Sequence, residues 1–472
     1  MFAEQPTMKT PKQTETPVRE NIEPAGRKAL SSARYHTGLL HALEQADPEV
    51  YRLVAEEYDR QQNTLQLIAA ENQCSRAVLA ALGSTVQNKT TEGFVGARFH
   101  GGCEVVDCLE SLAISRAREV FKAAYANVQP HSGTSANQIV LTAILEKGDR
   151  ILSLAMDQGG HVSHGAPVAF AGKFFEVEPY RVRPDSFLLD YDAIREQARR
   201  FGPKLIICGA TAYSRTIDFA QFRAIADEVG AFLMADVSHI SGLIAGGAHP
   251  SPVDCAHFTT TSTYKPGGPR GGLILMGRGF DRPFPAGGKA GPLWKRIEKT
   301  TFPGFQGTPY LNNIAAKAAF FKEMLSAAYR DRQFRIVQNA GTLAQEFIEL
   351  GYDVLTGGTD NHMFLVNVAN RREGLTGLIA QKCLEDCGII VNMNWLPYDG
   401  RSARITSGMR LGTPITTKNG MSRPEMQVIA PLVDEVLTHV EIVSEKQYRL
   451  DPALRDAMKE RVRDLCNRFP MQ

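Results

Sequence analysis

Residues 259–272 read TTTSTYKPGGPRGG, in which five small hydroxyl residues and Tyr264 precede a single lysine, Lys265, and a glycine-rich turn follows it. This order predicts a strand that runs into a loop, with the Lys265 amine at the mouth of that loop. An amine that is partly desolvated in such a place can supply the neutral nucleophile that forms a Schiff base. Taken alone, Lys265 is more often a solvated surface lysine, so its chemistry depends on what the rest of the chain offers.

Two segments upstream of Lys265 provide further groups that could bind a ligand. Residues 128–137 read VQPHSGTSAN, a glycine-and-hydroxyl turn that opens a helix and has the form of a phosphate cradle. Residues 232–239 read FLMADVSH, an apolar strand ending on Asp236, whose carboxylate can pair with a pyridinium nitrogen. A phosphate cradle, a strand-end aspartate and a lysine, in that order, are what a pyridoxal-phosphate site requires.

Length and composition exclude several classes of protein. A chain of 472 residues exceeds what one core supports, so a large and a small domain are expected. The net charge of +2 is spread without a basic stripe, which argues against a nucleic-acid partner. No apolar run approaches the ~18 residues that a membrane span needs. The eight cysteines are scattered without zinc-type spacing, which indicates reduced thiols in a cytoplasmic protein without a metal site.

The pattern of apolar runs predicts an α/β fold. A mixed-charge segment at 1–35 is predicted to be a disordered tail, and an N-terminal arm with a helix at 47–60 follows at 36–85. The large cofactor domain is placed at 86–320, where strands and helices alternate as in a mostly parallel sheet covered on both faces. A small α+β domain is placed at 321–472. The strands are predicted at 150–156, 204–208, 232–236, 272–276, 352–355, 363–368 and 389–392, and the helices at 108–121, 135–145, 218–229, 311–326, 333–350 and 375–387.

Candidate site residues collect where such a sheet binds ligands. Thr211, Asp236 and Lys265 all fall at or just beyond predicted strand ends, and ligands gather at the carboxyl ends of parallel strands. A second candidate region is the glycine-rich segment 88–104, which carries Glu92 and is predicted to be a loop without secondary structure. Such loops are more often functional than not.

At this point the chain resembles serine hydroxymethyltransferases, pyridoxal-phosphate enzymes of fold type I (aspartate aminotransferase-like). The resemblance runs from about Asp47 to the C-terminus. It rests on LIAAEN (67–72), GGCE (101–104), AYANVQPHSG (124–133), GGHVSHG (159–165), AYSR (212–215), ADVSH (235–239), GGPRGG (267–272), FPG (302–304) and SGMRLGT (407–413). It implies a seven-stranded sheet in the large domain, tetrahydrofolate as co-substrate, and a homodimer or homotetramer with shared active sites.

The resemblance assigns cofactor roles position by position. Lys265 would carry the cofactor covalently, Asp236 would bond its pyridine nitrogen, and His161 would stack on its ring. Thr211 and His239 would lie near its phenolic oxygen. The phosphate would lie at the helix N-terminus, where free amides favour anions. The remaining cofactor contacts would come from Ser132, Gly133, Thr134, Ser262, Gly307 and Thr308.

The resemblance also assigns substrate roles. Arg410 would bind the substrate carboxylate through its guanidinium fork. Glu92 would act as the acid/base carboxylate between the hydroxymethyl oxygen and the folate nitrogen. Asn394 would contact the folate pterin. In the family the Glu92 loop and the Phe302 segment reach the site of the neighbouring subunit.

The sequence departs from the family pattern around the substrate. Ala70 replaces a serine near the substrate carboxylate, Thr90 replaces a tyrosine two residues before Glu92, and His100 lies in place of the second tyrosine of a pair. Tyr264 replaces the histidine before the lysine, and Thr308 replaces a glycine. Thr90 opens space for an α-methyl group, which is typical of the α-methylserine hydroxymethyltransferase branch that acts on α-methyl-L-serine and D-alanine. His100 and Tyr264 could then serve as proton donors, or Thr90 and His100 could merely repack together.

Three functional hypotheses follow. The first is a hydroxymethyltransferase that moves a one-carbon unit between tetrahydrofolate and α-methylserine/D-alanine or serine/glycine, by retro-aldol cleavage of Cα–Cβ. The second is a folate-independent threonine aldolase or transaldolase on the same scaffold. The third is a catalytically silent binding subunit, against which the retention of Lys265, Asp236, His161 and Arg410 argues. The sequence leaves open the true amino acid, the dependence on folate, the pathway served, and dimer versus tetramer.

Overall fold

The computed structural model describes residues 38–284 and 291–471. The predicted tail at 1–35 lies outside these residues. The described part divides into two compact units, one ending at Ala55 and the other beginning at Glu56. The predicted helix of the N-terminal arm is confirmed as Pro48–Asn63, and Asp47 caps it by accepting a hydrogen bond from the Val50 N–H at 3.1 Å.

The helices and strands are numbered here in chain order. The α-helices are α1 Leu39–Ala46, α2 Pro48–Asn63, α3 Arg76–Leu82, α4 Glu104–Phe121, α5 Gly133–Ile144, α6 Phe170–Phe174, α7 Tyr191–Phe201, α8 Phe219–Glu228, α9 Ser241–Gly246, α10 Leu293–Lys299, α11 Leu311–Met324, α12 Ala327–Glu349, α13 Gly377–Asp386, α14 Pro414–Lys418, α15 Arg423–His439 and α16 Pro452–Arg468. The strands are β1 Leu65–Gln66, β2 Gly93–Phe94, β3 Ala97–Arg98, β4 Tyr125–Asn127, β5 Arg150–Leu154, β6 Glu176–Tyr180, β7 Leu205–Cys208, β8 Phe232–Asp236, β9 Phe258–Ser262, β10 Gly272–Met276, β11 Asp353–Val354, β12 Met363–Asn367, β13 Ile389–Ile390, β14 Asn392–Asn394, β15 Gly408–Gly412, β16 Glu441–Ser444 and β17 Gln447–Arg449.

A seven-stranded sheet in the order β4-β10-β9-β8-β7-β5-β6 forms the centre of the large domain. Strands β6, β5, β7, β8 and β9 pair in parallel, whereas β10 is antiparallel to both of its neighbours. Successive side chains point to opposite faces, so Ile206 and Leu233 pack in one hydrophobic cluster while Ile207 and Met234 pack in another. The predicted mostly parallel sheet, buried on both faces, is therefore confirmed.

The predicted strand that leads from the hydroxyl-rich run into the Lys265 loop is confirmed. Strand β9 includes Thr259 to Ser262, and all of its side chains are buried. Strands β4 and β6 were not predicted, because one is only three residues long and the other, EVEPY, is largely polar. The glycine-rich segment 88–104 also contains a short hairpin, β2–β3, and the helix after it begins at Glu104 rather than at 108.

The C-terminal part of the chain builds a second core around a four-stranded antiparallel sheet in the order β11-β12-β15-β14. Helices α12, α13, α15 and α16 contribute to the same cluster of buried residues. The N-terminal segment joins this core, since β1 pairs in parallel with β13 and the Leu67 carbonyl accepts the Gly412 N–H at 2.8 Å. The division proposed near residue 320 stays a prediction. No helix within the described ranges is long and apolar enough to cross a membrane.

Candidate active site

Asp236, the last residue of β8, is the most heavily bonded carboxylate of the site. Its Oδ2 accepts hydrogen bonds from Asn137 Nδ2 at 2.8 Å and from His164 Nε2 at 2.9 Å. Its Oδ1 accepts from the backbone N–H of Ser238 at 3.0 Å and from the Ser238 hydroxyl at 2.6 Å. Burial alone would raise its pKa, but these donors together hold the pKa of Asp236 well below its usual range. Asp236 is therefore ionised at neutral pH and can pair with a cation in the cavity.

Two histidines lie beside this carboxylate. The rings of His161 and His164 have centroids 5.5 Å apart. Burial, with the charges of His164 and Lys265, lowers the pKa of His161 to about 4. The Ser163 backbone N–H donates to His161 Nδ1 at 3.2 Å, so the proton of the neutral ring is on Nε2. An uncharged, oriented imidazole of this kind suits stacking on an aromatic ring.

The predicted phosphate cradle is the N-terminus of the twelve-residue helix α5. Ser132 caps the helix, and its Oγ accepts the Ser135 N–H at 3.0 Å. Gly133 allows a close approach, because a Cβ there would lie 3.2 Å from Ser262 Cβ and 3.3 Å from Ser238 Oγ. Thr134 is exposed at the first turn. Free amides, hydroxyls and the positive end of the helix dipole thus meet at one point.

Lys265 lies three residues beyond β9, between the cradle and Tyr264. Its Nζ donates to Ser262 Oγ at 3.2 Å and lies 4.9 Å from the centre of the Tyr264 ring. The Arg270 guanidinium covers the same ring at 4.1 Å. Asn72 Nδ2 donates to the Lys265 carbonyl at 3.2 Å. The lysine is half-buried, and its amine makes one hydrogen bond to a hydroxyl and no ion pair among the described residues, which suits a covalent attachment point.

Arg410, in β15, is a buried cation without a carboxylate partner in the described ranges. Its Nε donates to Asn392 Oδ1 at 3.3 Å, and its Nη1 donates to the Thr211 carbonyl at 2.7 Å. Burial lowers the pKa of Arg410 to about 10, so the group stays charged at neutral pH. Three of its five N–H groups remain for an anion.

Several polar atoms of the site, among them Nδ1 of His164, are buried and find no partner among the described residues. Two of them are Nδ1 of His239 and Oγ1 of Thr211, which belong to the residues expected near the phenolic oxygen of the cofactor. The His239 ring stacks on His362 with centroids 5.8 Å apart, and burial keeps the pKa of His239 well below its ordinary value. Buried polar atoms without partners are rare in native proteins, so these two atoms indicate a missing hydrogen-bonding group.

Within the described residues, no hydrogen bond or ion pair joins Glu92 directly to Lys265. The Glu92 side chain lies beside Gly307, since a Cβ at Gly307 would be 3.5 Å from its Oε1. The Glu92 segment is linked to the segment before the cradle through Gln129, whose amide donates to the Gly93 carbonyl at 3.1 Å. Thr90 and His100 are exposed, while Thr308 is half-buried.

Asn394 and the segment that contains Ala70 lie next to the strand that carries Arg410. Asn394 ends β14, the neighbour of β15, and its amide donates to the Trp395 carbonyl at 2.7 Å. Ala70 is half-buried, and the preceding Ala69 packs against β15, since a Cβ at Gly412 would lie 2.5 Å from Ala69 Cα.

Sequence reasoning missed several residues that hold the site in shape. Asn137 bonds Asp236, Ser163 and Thr260, and His164 bonds Asp236. Asn392 orients Arg410. The helical spacing from Ser132 to Asn137 could have placed the asparagine on the inner side of α5. No local signal distinguishes His164 from His161.

Comparison with known proteins agrees with this geometry. A sequence model of the family described as serine hydroxymethyltransferase matches residues 43–433. A serine hydroxymethyltransferase of Methanosarcina barkeri is 45% identical over 430 residues, covering 91% of this chain and 99% of the relative. The chain belongs to the serine hydroxymethyltransferase family. It is a pyridoxal-phosphate-dependent hydroxymethyltransferase, and the family uses tetrahydrofolate as co-substrate.

The residues of this serine hydroxymethyltransferase family member fit pyridoxal phosphate. The cradle can take a phosphate, ionised Asp236 can take a protonated pyridine nitrogen, and Lys265 offers the amine. The partnerless atoms of His239 and Thr211 offer a donor or acceptor to the phenolic oxygen. Each polar part of the cofactor therefore has a matching group.

Proposed function

We propose that the chain moves a one-carbon unit between tetrahydrofolate and an α-methyl amino acid, with α-methyl-L-serine and D-alanine as the pair. The observation that carries an amino-acid substrate is Arg410, a buried cation without a carboxylate partner among the described residues, whose Nη1 donates to the Thr211 carbonyl. Such a group stabilises an incoming amino-acid carboxylate and orients its Cα. The serine/glycine pair of the family is the alternative substrate pair.

Arg410 would bind the substrate carboxylate through the free N–H groups of Nη1 and Nη2. Asn392 and the Thr211 carbonyl hold the fork in place, so little side-chain entropy is lost on binding. Asn394, on the neighbouring strand, would contact the folate pterin. The carboxylate and the folate would thus be held by adjacent strands of the small sheet.

The bound cofactor supplies an electron sink for the charge that develops on Cα when the Cα–Cβ bond breaks. Asp236 would hold a proton on the pyridine nitrogen, and its four hydrogen bonds keep it ionised for that role. His161 would cover one face of the ring and exclude water from it. Lys265 would supply the amine that holds the cofactor before substrate arrives.

Glu92 would accept the proton of the substrate β-hydroxyl group as the Cα–Cβ bond breaks. It would then donate a proton where the folate nitrogen reacts with the one-carbon unit. Within one chain Glu92 lies beside Gly307, and no hydrogen bond of the described residues joins it to Lys265, so we propose that a second copy supplies this carboxylate. His100 and Thr90 would enter with it on the same loop. Tyr264 lies between Lys265 and Arg270 and would donate a proton near the reacting carbon.

Thr90 supports the choice of an α-methyl substrate. The family's tyrosine at this position would fill the space beside Cα, and a threonine leaves room for a methyl group. A pocket distinguishes one methyl by ~1–3 kcal/mol, which is enough to select between glycine and D-alanine. Thr90→Tyr should therefore lower the ratio of kcat/KM for D-alanine to that for glycine by about tenfold or more.

The test measures both amino acids as one-carbon acceptors with the same folate donor. Thr90→Ser is the matched control, because it keeps the space and should keep the ratio. An unchanged ratio in Thr90→Tyr would contradict the α-methyl proposal and leave an ordinary serine enzyme with a repacked pocket. A folate-independent aldolase is the second candidate, and turnover of L-threonine at the same rate without folate would favour it.

A further inference from the structure

Lys317, in the middle of α11, is a buried amine outside the site described above. Its side chain is 1% exposed. The Nζ donates to three backbone carbonyls: Val128 at 2.6 Å, Pro130 at 3.2 Å and Gly272 at 2.8 Å. An ammonium group has three donors, so all of them are used.

The three carbonyls belong to the two segments that frame the phosphate cradle. Val128 and Pro130 lead into Ser132, and Gly272 ends the glycine-rich turn that follows Lys265. These segments also bond each other, because the Gly272 N–H donates to the Pro130 carbonyl at 2.8 Å. Lys317 therefore bonds both to the segment that leads into the cradle and to the turn that follows Lys265.

Gly271 shows that this position is shaped around the lysine. A Cβ at Gly271 would lie 2.5 Å from Lys317 Cε and 2.9 Å from its Nζ, so any larger residue would push the amine away. The last two glycines of the GGPRGG motif thus serve Lys317 and the cradle. The turn that follows Lys265 therefore also shapes the surroundings of Lys317.

The charge of Lys317 has no dedicated anion within the described parts of the chain. Glu110 on α4 is the acidic group whose field reaches it, but Glu110 is already paired with Arg98 at 2.5 Å. His131 is its other titratable neighbour, and burial with the Lys317 charge lowers the pKa of His131. Burial lowers the pKa of Lys317 itself to about 7, while three carbonyl oxygens favour its charged form.

We propose that Lys317 is a positioning residue of the cradle, whose positive charge is balanced by the cofactor phosphate. The inference rests on the proposed placement of that phosphate at Ser132, Gly133 and Thr134. A buried charge without an anion is costly, and a phosphate dianion nearby relieves that cost. Part of the affinity for the phosphate group would then depend on a residue that does not touch it.

The test compares two ligands on cofactor-free full-length enzyme. Dissociation constants are measured by protein fluorescence for pyridoxal phosphate and for pyridoxal, which lacks the phosphate. Lys317→Met should weaken pyridoxal phosphate about tenfold while pyridoxal changes less than about twofold. Lys317→Gln, which keeps two amide donors without the charge, should show the same selective loss and serves if the methionine variant does not fold.

Lys322→Met is the matched control, since Lys322 is an exposed lysine on the same helix, and neither constant should change. Equal weakening of both ligands would mean that Lys317 is only structural, and no weakening of either would also overturn the inference. If wild-type enzyme binds pyridoxal as tightly as pyridoxal phosphate, the proposed phosphate placement fails instead. The two failures are therefore distinguishable.

Discussion

Two carboxyl groups of this protein, those of buried Asp236 and half-buried Glu298, have opposite electrostatic environments. Asp236 meets four donated hydrogen bonds, whereas Glu298 on α10 meets mainly burial and the negative charge of Glu110. The pKa of Glu298 is consequently raised to about 7. Asp236 is therefore ionised at neutral pH, where it can bind a cation. The folded protein is more stable when Glu298 is protonated than when it is ionised.

This contrast predicts how stability depends on pH at Glu298. Its pKa is raised from 4.5 in the unfolded chain to about 7, so its protonated form stabilises the fold below pH 4.5 and that contribution is lost as pH rises through 7. Glu298→Gln should therefore raise the free energy of unfolding at pH 8, by at most about 3 kcal/mol. At pH 4.5 the two proteins should unfold at similar denaturant concentrations. A variant less stable than wild type at pH 8 would show that the ionised carboxylate has a favourable partner.

The role of a single residue could be predicted where its own chemistry and its neighbours in sequence both indicated the site. Lys265 and Asp236 could be predicted because a lysine between hydroxyls and glycines and an acid that ends an apolar strand occur in one chain together with a phosphate cradle. His164 and Asn137 are not unusual in sequence, and their roles arise only when α5 and the turn after β5 meet the end of β8. Residues whose role is to position another side chain are therefore difficult to recognise from the sequence.

At the scale of elements, the hairpin β2–β3 shows how a glycine-rich segment becomes ordered. Arg98 donates to the Gly93 carbonyl at 2.7 Å, to Asp107 at 2.8 Å and to Glu110 at 2.5 Å. Gln129 donates to the Gly93 carbonyl at 3.1 Å and to Glu110 at 2.8 Å. The hairpin that carries Glu92 is thus bonded both to α4 and to the segment before the cradle. The hairpin is stabilised by residues that are distant in sequence. The local glycine-rich composition therefore predicts only a loop.

Arg98→Met should loosen this hairpin and leave Glu110 and Asp107 without their cation. Removing one member of a buried ion pair costs about 3–5 kcal/mol, so the free energy of unfolding should fall by that order. Because Glu92 moves with the hairpin, kcat should fall while affinity for pyridoxal phosphate stays near wild type.

A double variant separates the two effects. Arg98→Met with Glu110→Gln removes the unpaired buried charge, so it should recover much of the stability but not kcat. Equilibrium unfolding in urea and steady-state kinetics measure the two quantities. Full recovery of kcat in the double variant would contradict a positioning role for Arg98.

At the scale of the molecule, several large apolar side chains near the Glu92 segment are exposed in a single chain. Val105 is 76% exposed and Leu112 is 41% exposed, and the two lie seven residues apart on one face of α4. Phe99 is 65% exposed, and its ring lies 5.4 Å from that of Phe302. Large exposed apolar groups can mark interaction sites. Since no hydrogen bond or ion pair of the described residues joins Glu92 to Lys265, a second copy on this face of α4 would account for both observations.

The double variant Val105→Asp and Leu112→Asp should therefore disrupt a homo-oligomer. Wild-type protein should have a molar mass by light scattering of at least twice the 51.8 kDa of one chain, and the variant should approach 51.8 kDa. Loss of assembly should also remove most activity, because Glu92 would no longer reach a neighbouring Lys265. Val428→Asp is the matched control, since that valine is 46% exposed on α15 in the C-terminal core, and it should leave mass and activity unchanged. A monomeric wild type with full activity would contradict a shared site, and Glu92 would then have to reach Lys265 by movement within one chain.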